Sequence, residues 1–334
     1  GAGGGARAGE TIGRGPRRVA MMVTVAADGP QGDGAAVLVE SVREAYKDSQ
    51  KYSIELIAVV HPKVEKMRPL LESLGFRLIE REVPVKVEEI ANPVYREHAS
   101  TSGCCGLSEL LKLEAWTMSE YYKVLLLDMD TVMMHHVDEI LDKDVPIIYT
   151  TTGADTKEGL QGGLILVKPD RAAYDAILAI VRAGDFRYDG SGWEGSGLGY
   201  SYGGETVQGV LPFYYSKKAP AGAQEVVDHC RFNNMGDCDR CLGMDPAEVA
   251  IVHFTVCQKP WYCLPGARMC KTAQDFWWEK RVAIEARHGG GAQTECTSKY
   301  NYKPMRIPRQ VPELYAPVQW GCNDLPGGCA KFHK

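Results

Sequence analysis

The chain has 334 residues, 45% of them hydrophobic, enough apolar material for one large α/β domain or two small ones, and disorder of the whole is excluded. With 38 Lys and Arg against 43 Asp and Glu the formal charge is -5, so no general basic field exists to hold nucleic acid or an anionic membrane, and an anionic ligand has to be met locally. No apolar run has the length of a bilayer span, and residues 1–18 are rich in Gly, Ala and Arg, unlike a signal sequence. Because the chain opens on Gly1 rather than Met, a natural N-terminus carrying a signal or anchor is expected to have been removed.

In chain order, Val19 to Ala26 is a continuous apolar run with β-branched residues, which predicts a strand buried on both faces. Helical spacing over Ala35 to Lys47, a strand over Ile54 to Val60, an amphipathic helix from Val64 to Leu74 ended by Gly75, and a strand over Arg77 to Val83 complete a βαβαβ pattern. Such a unit makes an open parallel sheet whose ligands bind beyond the carboxyl ends of its strands. A further helix is predicted over Leu107 to Tyr122, leading into a strand from Lys123 to Asp128. Val145 to Tyr149 and Gly163 to Val167 read as strands, and Asp170 caps an Ala-rich helix to Ala183. Gly190 to Gly204 is crowded with Gly, Ser, Tyr and Trp and is expected to be a mobile loop over a binding site. Val249 to Phe254 reads as a late strand, Thr272 to Arg287 as a helix, and the Pro-rich stretch beyond Gly289 as irregular.

Eleven cysteines are unevenly placed: none precedes Cys104, and nine lie from Cys230 onward. A late cluster of this kind predicts disulfides stapling a loop-rich C-terminal region in an oxidising compartment. The rival is a zinc site on Cys238-x2-Cys241, which needs two more ligands that no second Cys pair of similar spacing supplies. The odd total leaves a thiol unpaired, and Cys104 and Cys105 do not readily bond to each other.

The sharpest signal is Lys123-Val-Leu-Leu-Leu-Asp128-Met-Asp130, where a buried apolar strand ends in two carboxylates one residue apart. Both can face one divalent cation bridging to a diphosphate. Asp142-Lys-Asp144 and Asp237-Cys-Asp239 share the bare pattern without following an apolar strand, and read as solvated loop charges. One chemistry with such a pair is that of haloacid-dehalogenase-like phosphatases, with Asp128 as nucleophile and Asp130 as general acid, and Asp185-x3-Asp189 imitates their later acidic motif. Against it, a complete βαβαβ unit precedes Asp128, and the segment before Asp185 is patterned as a helix. The other chemistry holds a metal on the diphosphate of a nucleotide-sugar. A third ligand is then expected, and His253 at the end of the late strand, with Lys259 shortly after, suits the ligand and the cation that neutralises the departing diphosphate.

This combination resembles the family 8 glycosyltransferases, retaining enzymes of the GT-A fold that include glycogenin. Their His-Phe-x-Gly-x-x-Lys-Pro-Trp stands here as His253-Phe254-Thr255-Val256-Cys257-Gln258-Lys259-Pro260-Trp261, and the family's Lys on the helix before the metal strand corresponds to Lys112. The resemblance spans about Val19 to Trp261. It implies an α/β GT-A domain over 19–288, with a leader or stem over 1–18 and a cysteine-containing extension over 289–334. It also implies that Asp128, Asp130 and His253 hold Mn²⁺ (or Mg²⁺), that Lys259 contacts the diphosphate of a UDP-sugar, and that Ala26, Ala27 and Asp28 lie near base and ribose. Lys112 would sit by the donor sugar or phosphate, Gln161, Gly162 and Gly163 would line the sugar pocket, and Gln208 would meet the reacting face. The acceptor, a glycan, protein or lipid, is left open. The sequence departs from the family pattern at Val207, where an Asp is usual, and at Val256, where a Gly is usual. Val207 motivates a further alternative, a relative that binds nucleotide-sugar or glycan without turnover. A secretory-pathway lumen, the Golgi above all, follows from the cysteines and the family, with the cytoplasm as alternative.

Overall fold

A computed structural model describes residues 9–151, 159–291, 293–296 and 301–315. Residues 1–8 of the expected leader, and residues 292, 297–300 and 316–334 of the expected extension with Cys322 and Cys329, lie outside these residues. The expected βαβαβ unit is built from β2 (Arg17–Val25), α1 (Gly32–Tyr46), β3 (Tyr52–Val60), α2 (Arg68–Ser73) and β4 (Arg77–Glu80), after a short β1 (Thr11–Ile12). Then come α3 (Pro93–Ala99), a 3-10 segment (Gly106–Thr117), β5 (Lys123–Leu127), β6 (Thr131–Met133), α4 (Asp138–Leu141), β7 (Ile147–Thr151) and β8 (Leu160–Val167). The second half holds α5 (Arg171–Ala183), β9 (Phe186–Arg187), β10 (Gly192–Trp193), α6 (Val207–Lys217), β11 (Gln224–Val226), α7 (His229–Phe232), α8 (Asp239–Leu242), β12 (Ile251–His253) and α9 (Met269–Arg287).

The central sheet runs β1-β3-β2-β5-β8-β7-β11, with β4 also on β3. The β2, β3, β4 and β5 pairings are parallel, as is β7 with β11, while β8 is antiparallel to both its neighbours. Alternate residues of β2 feed two cores: Val19, Met21, Val23 and Val25 pack on the side of α1 and α9, and Ala20 and Met22 on the side of the 3-10 segment, α5 and α6. This is the doubly covered α/β fold expected, and burial on both faces explains the continuous apolar stretches within β2, β3 and β5.

The structure alters several expected elements. The helix over Leu107 to Tyr122 is instead a 3-10 coil ending at Thr117. Its buried Leu107, Leu110, Leu113 and Trp116 recur every three residues, the period of that tighter helix. Helix α2 starts at Arg68 rather than Val64, because the Asp28 carboxylate takes the backbone amides of Glu65, Lys66 and Met67 in a turn. Gly190 to Gly204 is a packed turn rather than an open loop: Trp193 is fully buried, and its indole N–H donates to the Gly204 carbonyl at 2.8 Å. Residues 11–12, in the expected leader, pair antiparallel with Glu55 and Ile54 of β3.

Candidate functional site

The site grows from the carboxyl end of β5. Strand β5 closes on Leu127, and the Asp128 carbonyl accepts from both the amide and the hydroxyl of Thr131, turning the chain within three residues into β6. Strand β6 pairs with β12 in a separate two-stranded ribbon whose register sets Thr131 opposite His253. The Phe254 amide donates to the Asp130 carbonyl at 2.8 Å, which closes the ribbon beside the turn. Two stretches of chain more than a hundred residues apart are thereby fixed backbone to backbone. The ligand atoms of Asp128, Asp130 and His253 consequently lie within 4.8 Å of one another. His253 Nε2 is 3.3 Å from Asp130 and 4.0 Å from Asp128. Its Nδ1 is buried without a hydrogen-bond partner, so the ring is oriented by packing against Gly163 rather than by an acceptor.

Two ammonium groups hold the carboxylates. Lys112 is buried and lies 2.9 Å from Asp128 and 3.0 Å from Glu109, while donating to the Gly162 carbonyl at 3.0 Å. Lys259 pairs with Asp130 and donates to the Phe254 carbonyl at 3.1 Å. Burial pushes the Asp128 carboxyl up, against the pull of Lys112 and with Asp130 adding to the rise. Burial would raise Asp130 as well, but the charges of Lys259 and His253 outweigh it and hold that carboxyl well below the usual carboxylate range. Burial opposes charge on both lysines, and their carboxylate partners reverse this and raise them.

The remaining predicted residues fall around this centre. Gln208, in the first turn of α6, accepts from the Gly162 amide and donates to the Tyr202 carbonyl, each at 3.3 Å. Gln161, Gly162 and Gly163 are part of β8, and the Gln161 side chain is turned inward, accepting from the Gly163 amide and from Asn233. Ala26 and Ala27 follow β2, with Ala27 exposed, whereas the Asp28 carboxylate is occupied by the three amides named above. Val207 is buried in the apolar core, and the Glu205 carboxylate accepts from Ser102, so it does not take the place of the missing Asp beside Gln208. Val256 is half-exposed on the loop that carries Lys259. Sequence reasoning missed Glu109, although its position three residues before Lys112 puts both on one face of the coil, and it missed Asn233, which nothing in the sequence signals. Asp185 follows α5 and pairs with Arg187 on the surface, unlike the strand-borne acid that the phosphatase chemistry requires.

No protein-family model matches the chain, and no curated protein matches it in sequence. Solved structures do match in three dimensions. The apo form of the glycosyltransferase GlyE of Streptococcus pneumoniae TIGR4 aligns with a TM-score of 0.50 at 12% identity, covering 85% of this chain and 66% of that one. The galactosyltransferase LgtC, solved with donor and acceptor sugar analogs, aligns at 0.47 with 16% identity over 79% of this chain and 96% of its own. Mouse xyloside xylosyltransferase 1 aligns at 0.44 with 13% identity over 71% and 98%. At such identities the likeness is one of fold: the chain has the α/β architecture of the GT-A glycosyltransferases.

Proposed function

We propose that the chain is a metal-dependent retaining glycosyltransferase, similar to family 8, that moves a hexose or related sugar from a UDP-sugar to an acceptor hydroxyl. One observation carries the reading: two carboxylates and an imidazole converge within 4.8 Å at the end of a central strand, with a lysine on each carboxylate. Two hard oxygen donors and one nitrogen suit a divalent ion such as Mn²⁺ or Mg²⁺. Counting Asp128, Asp130 and Glu109 against Lys112 and Lys259, the bare site has one carboxylate in excess. A divalent cation turns that into a net positive site, which complements a diphosphate.

When bound, the ion would supply Lewis-acid stabilisation to the departing diphosphate. Lys259 sits on a loop beside the same carboxylate, and its ammonium would neutralise charge that grows on the leaving phosphate in the transition state. Lys112, locked between Asp128, Glu109 and the Gly162 carbonyl, would hold the sugar-pocket strand against the metal strand. Gln208 is a neutral amide engaged at both ends, a poor nucleophile, and this favours front-side attack, with the leaving phosphate taking the acceptor proton. Ala26 and Ala27, directly after β2, would lie near the base and ribose. The disulfides fit an oxidising secretory compartment, and the Golgi lumen is the compartment we infer.

The test is a thermal-shift screen of UDP and UDP-sugars with and without Mn²⁺, paired with an assay of UDP release. A metal-dependent shift that disappears in Asp130→Ala, together with turnover, is expected. Binding without turnover would favour the non-catalytic reading motivated by Val207, and absence of any metal-dependent nucleotide binding would overturn both.

A further inference from the structure

Across α7 and α8 the chain builds a second convergence of ligand atoms, on residues other than those of the carboxylate site. His229, Cys230, Cys238 and Cys241 each place one ligand atom within 4.8 Å of the others. Cys230 and Cys241 stand as a disulfide, with Cα atoms 4.6 Å apart. A disulfide needs only its two sulfurs, yet Cys238 Sγ lies 3.9 Å from Cys230 Sγ, and His229 Nε2 lies 3.5 Å from Cys230 Sγ and 3.2 Å from Cys241 Sγ. Zn–S and Zn–N bonds of about 2.3 and 2.05 Å at tetrahedral angles give edges of about 3.8 Å between sulfurs and about 3.5 Å between sulfur and nitrogen. Three of the observed separations are already near those edges. Of the three remaining edges, the one between Cys230 and Cys241 needs those sulfurs to part, and the two from Cys238, to Cys241 and to His229, lie within 4.8 Å.

The Cys241 amide donates to Cys238 Sγ at 3.5 Å, an outer hydrogen bond of the kind that orients and stabilises a metal-bound sulfur. His229, Cys230 and Cys241 are buried. The other two disulfides, Cys257–Cys270 and Cys263–Cys296, join no such cluster among the described residues. We propose that His229, Cys230, Cys238 and Cys241 form a structural Cys3His zinc site, in place of a Cys230–Cys241 disulfide beside a spare thiol. Four protein ligands leave no open position, so the ion is structural rather than catalytic. Binding releases the thiol protons and involves no change of oxidation state.

The site has something to hold. The Asn234 side chain donates to the carbonyls of Cys230 and Cys241, while its backbone pairs with Ile251 and His253 of β12. The adjacent Asn233 side chain donates to Gln161 and Thr150. The zinc loop therefore anchors the register of the strand that carries His253 and the orientation of Gln161.

The experiment uses the full chain secreted from a eukaryotic host and purified without reductant or chelator. Metal analysis is expected to find one zinc per chain in the wild type and in Asp130→Ala, and none in Cys238→Ser. Alkylation is expected to label Cys230, Cys238 and Cys241 only after denaturation with a chelator. Cobalt loaded into the zinc-stripped protein is expected to give the thiolate charge-transfer band of a tetrahedral site, which a carboxylate site does not produce. A Cys230–Cys241 linked peptide in the unreduced digest overturns the proposal, as does zinc-free protein with these thiols open to alkylation. Both readouts come from the wild type and stand even if Cys238→Ser fails to fold.

Discussion

At the scale of single residues, two adjacent glycines of β8 face different neighbours and separate two roles. A Cβ at Gly162 would come 3.0 Å from Lys112 Nζ, the end of a flexible side chain that can give way. A Cβ at Gly163 would lie 2.2 Å from His253 Nδ1, part of a rigid, buried ring. Gly163→Ala is therefore expected to displace the imidazole, weakening Mn²⁺ binding at least tenfold by calorimetry and costing roughly 1–3 kcal/mol in stability, while Gly162→Ala keeps most of its metal affinity. Equal behaviour of the two variants would show that the imidazole is not where the metal binds. Lys112 offers a second test, because it neutralises Asp128 and Glu109 together. Lys112→Met alone strands two partly buried carboxylates and is expected to cost about 1–3 kcal/mol. Adding Glu109→Gln should recover at least about 1 kcal/mol of that. Chemical denaturation of the four-member cycle measures the coupling, and strictly additive costs would mean the three groups do not act as one network.

At the scale of elements, sequence legibility followed from what each pattern depends on. The apolar stretches of β2 (19–23), β3 (56–60) and β5 (124–127) are visible because a strand covered on both faces buries successive residues rather than alternate ones, and the cap at Asp170 is visible because its side chain takes the amides of Ala172 and Ala173. The metal-type constellation was legible through Asp128-x-Asp130 and His253-x5-Lys259, since strand ends and local spacing are written in the chain. The 3-10 coil was missed because three-residue and 3.6-residue spacing look alike over twelve positions. The packed Gly190–Gly204 turn was missed because its order comes from one tryptophan inserted beneath it. Least legible was the docking of the irregular segment 301–315 onto the start of α1. There the buried Asp33 carboxylate accepts from the Tyr302 hydroxyl, the Met305 amide and the Gln310 side chain, and the Asp33 amide donates to Tyr315 at 2.7 Å. Such long-range partners leave no periodic trace. Asp33→Ala removes the acceptor of all three donors near the buried Arg281 and should cost about 3–5 kcal/mol in urea unfolding. It should also make segment 301–315 the first point of proteolytic cleavage. A variant as stable and as resistant as the wild type would mean that this segment is not docked through Asp33.

At the scale of the whole molecule, no helix among the described residues is long and apolar enough to cross a membrane, and what joins the site to the rest of the chain is its C-terminal third. The loop from His253 to Cys263 leaves the ribbon, presents Lys259, and is tied down by Cys257–Cys270 to α9 and by Cys263–Cys296 to the stretch beyond it. Between the crosslinks, Trp261 packs on Trp277, and the Gln274 side chain donates to the carbonyls of Cys257 and Leu264. The sequence separations of 13 and 33 residues correspond to about 3 and about 4 kcal/mol of lost chain entropy in the unfolded state. Reduction should accordingly lower the melting temperature by roughly 10 °C or more. The loss should be reproduced by Cys257→Ser/Cys270→Ser and Cys263→Ser/Cys296→Ser in two parts, the longer loop costing slightly more. Because these ties end beside Lys259 rather than beside the turn of Asp128, the first pair of substitutions should weaken nucleotide binding more than Mn²⁺ binding below the melting transition. If reductant leaves the melting temperature unchanged, the crosslinks do not hold this loop, and the lysine is positioned by packing and hydrogen bonds alone.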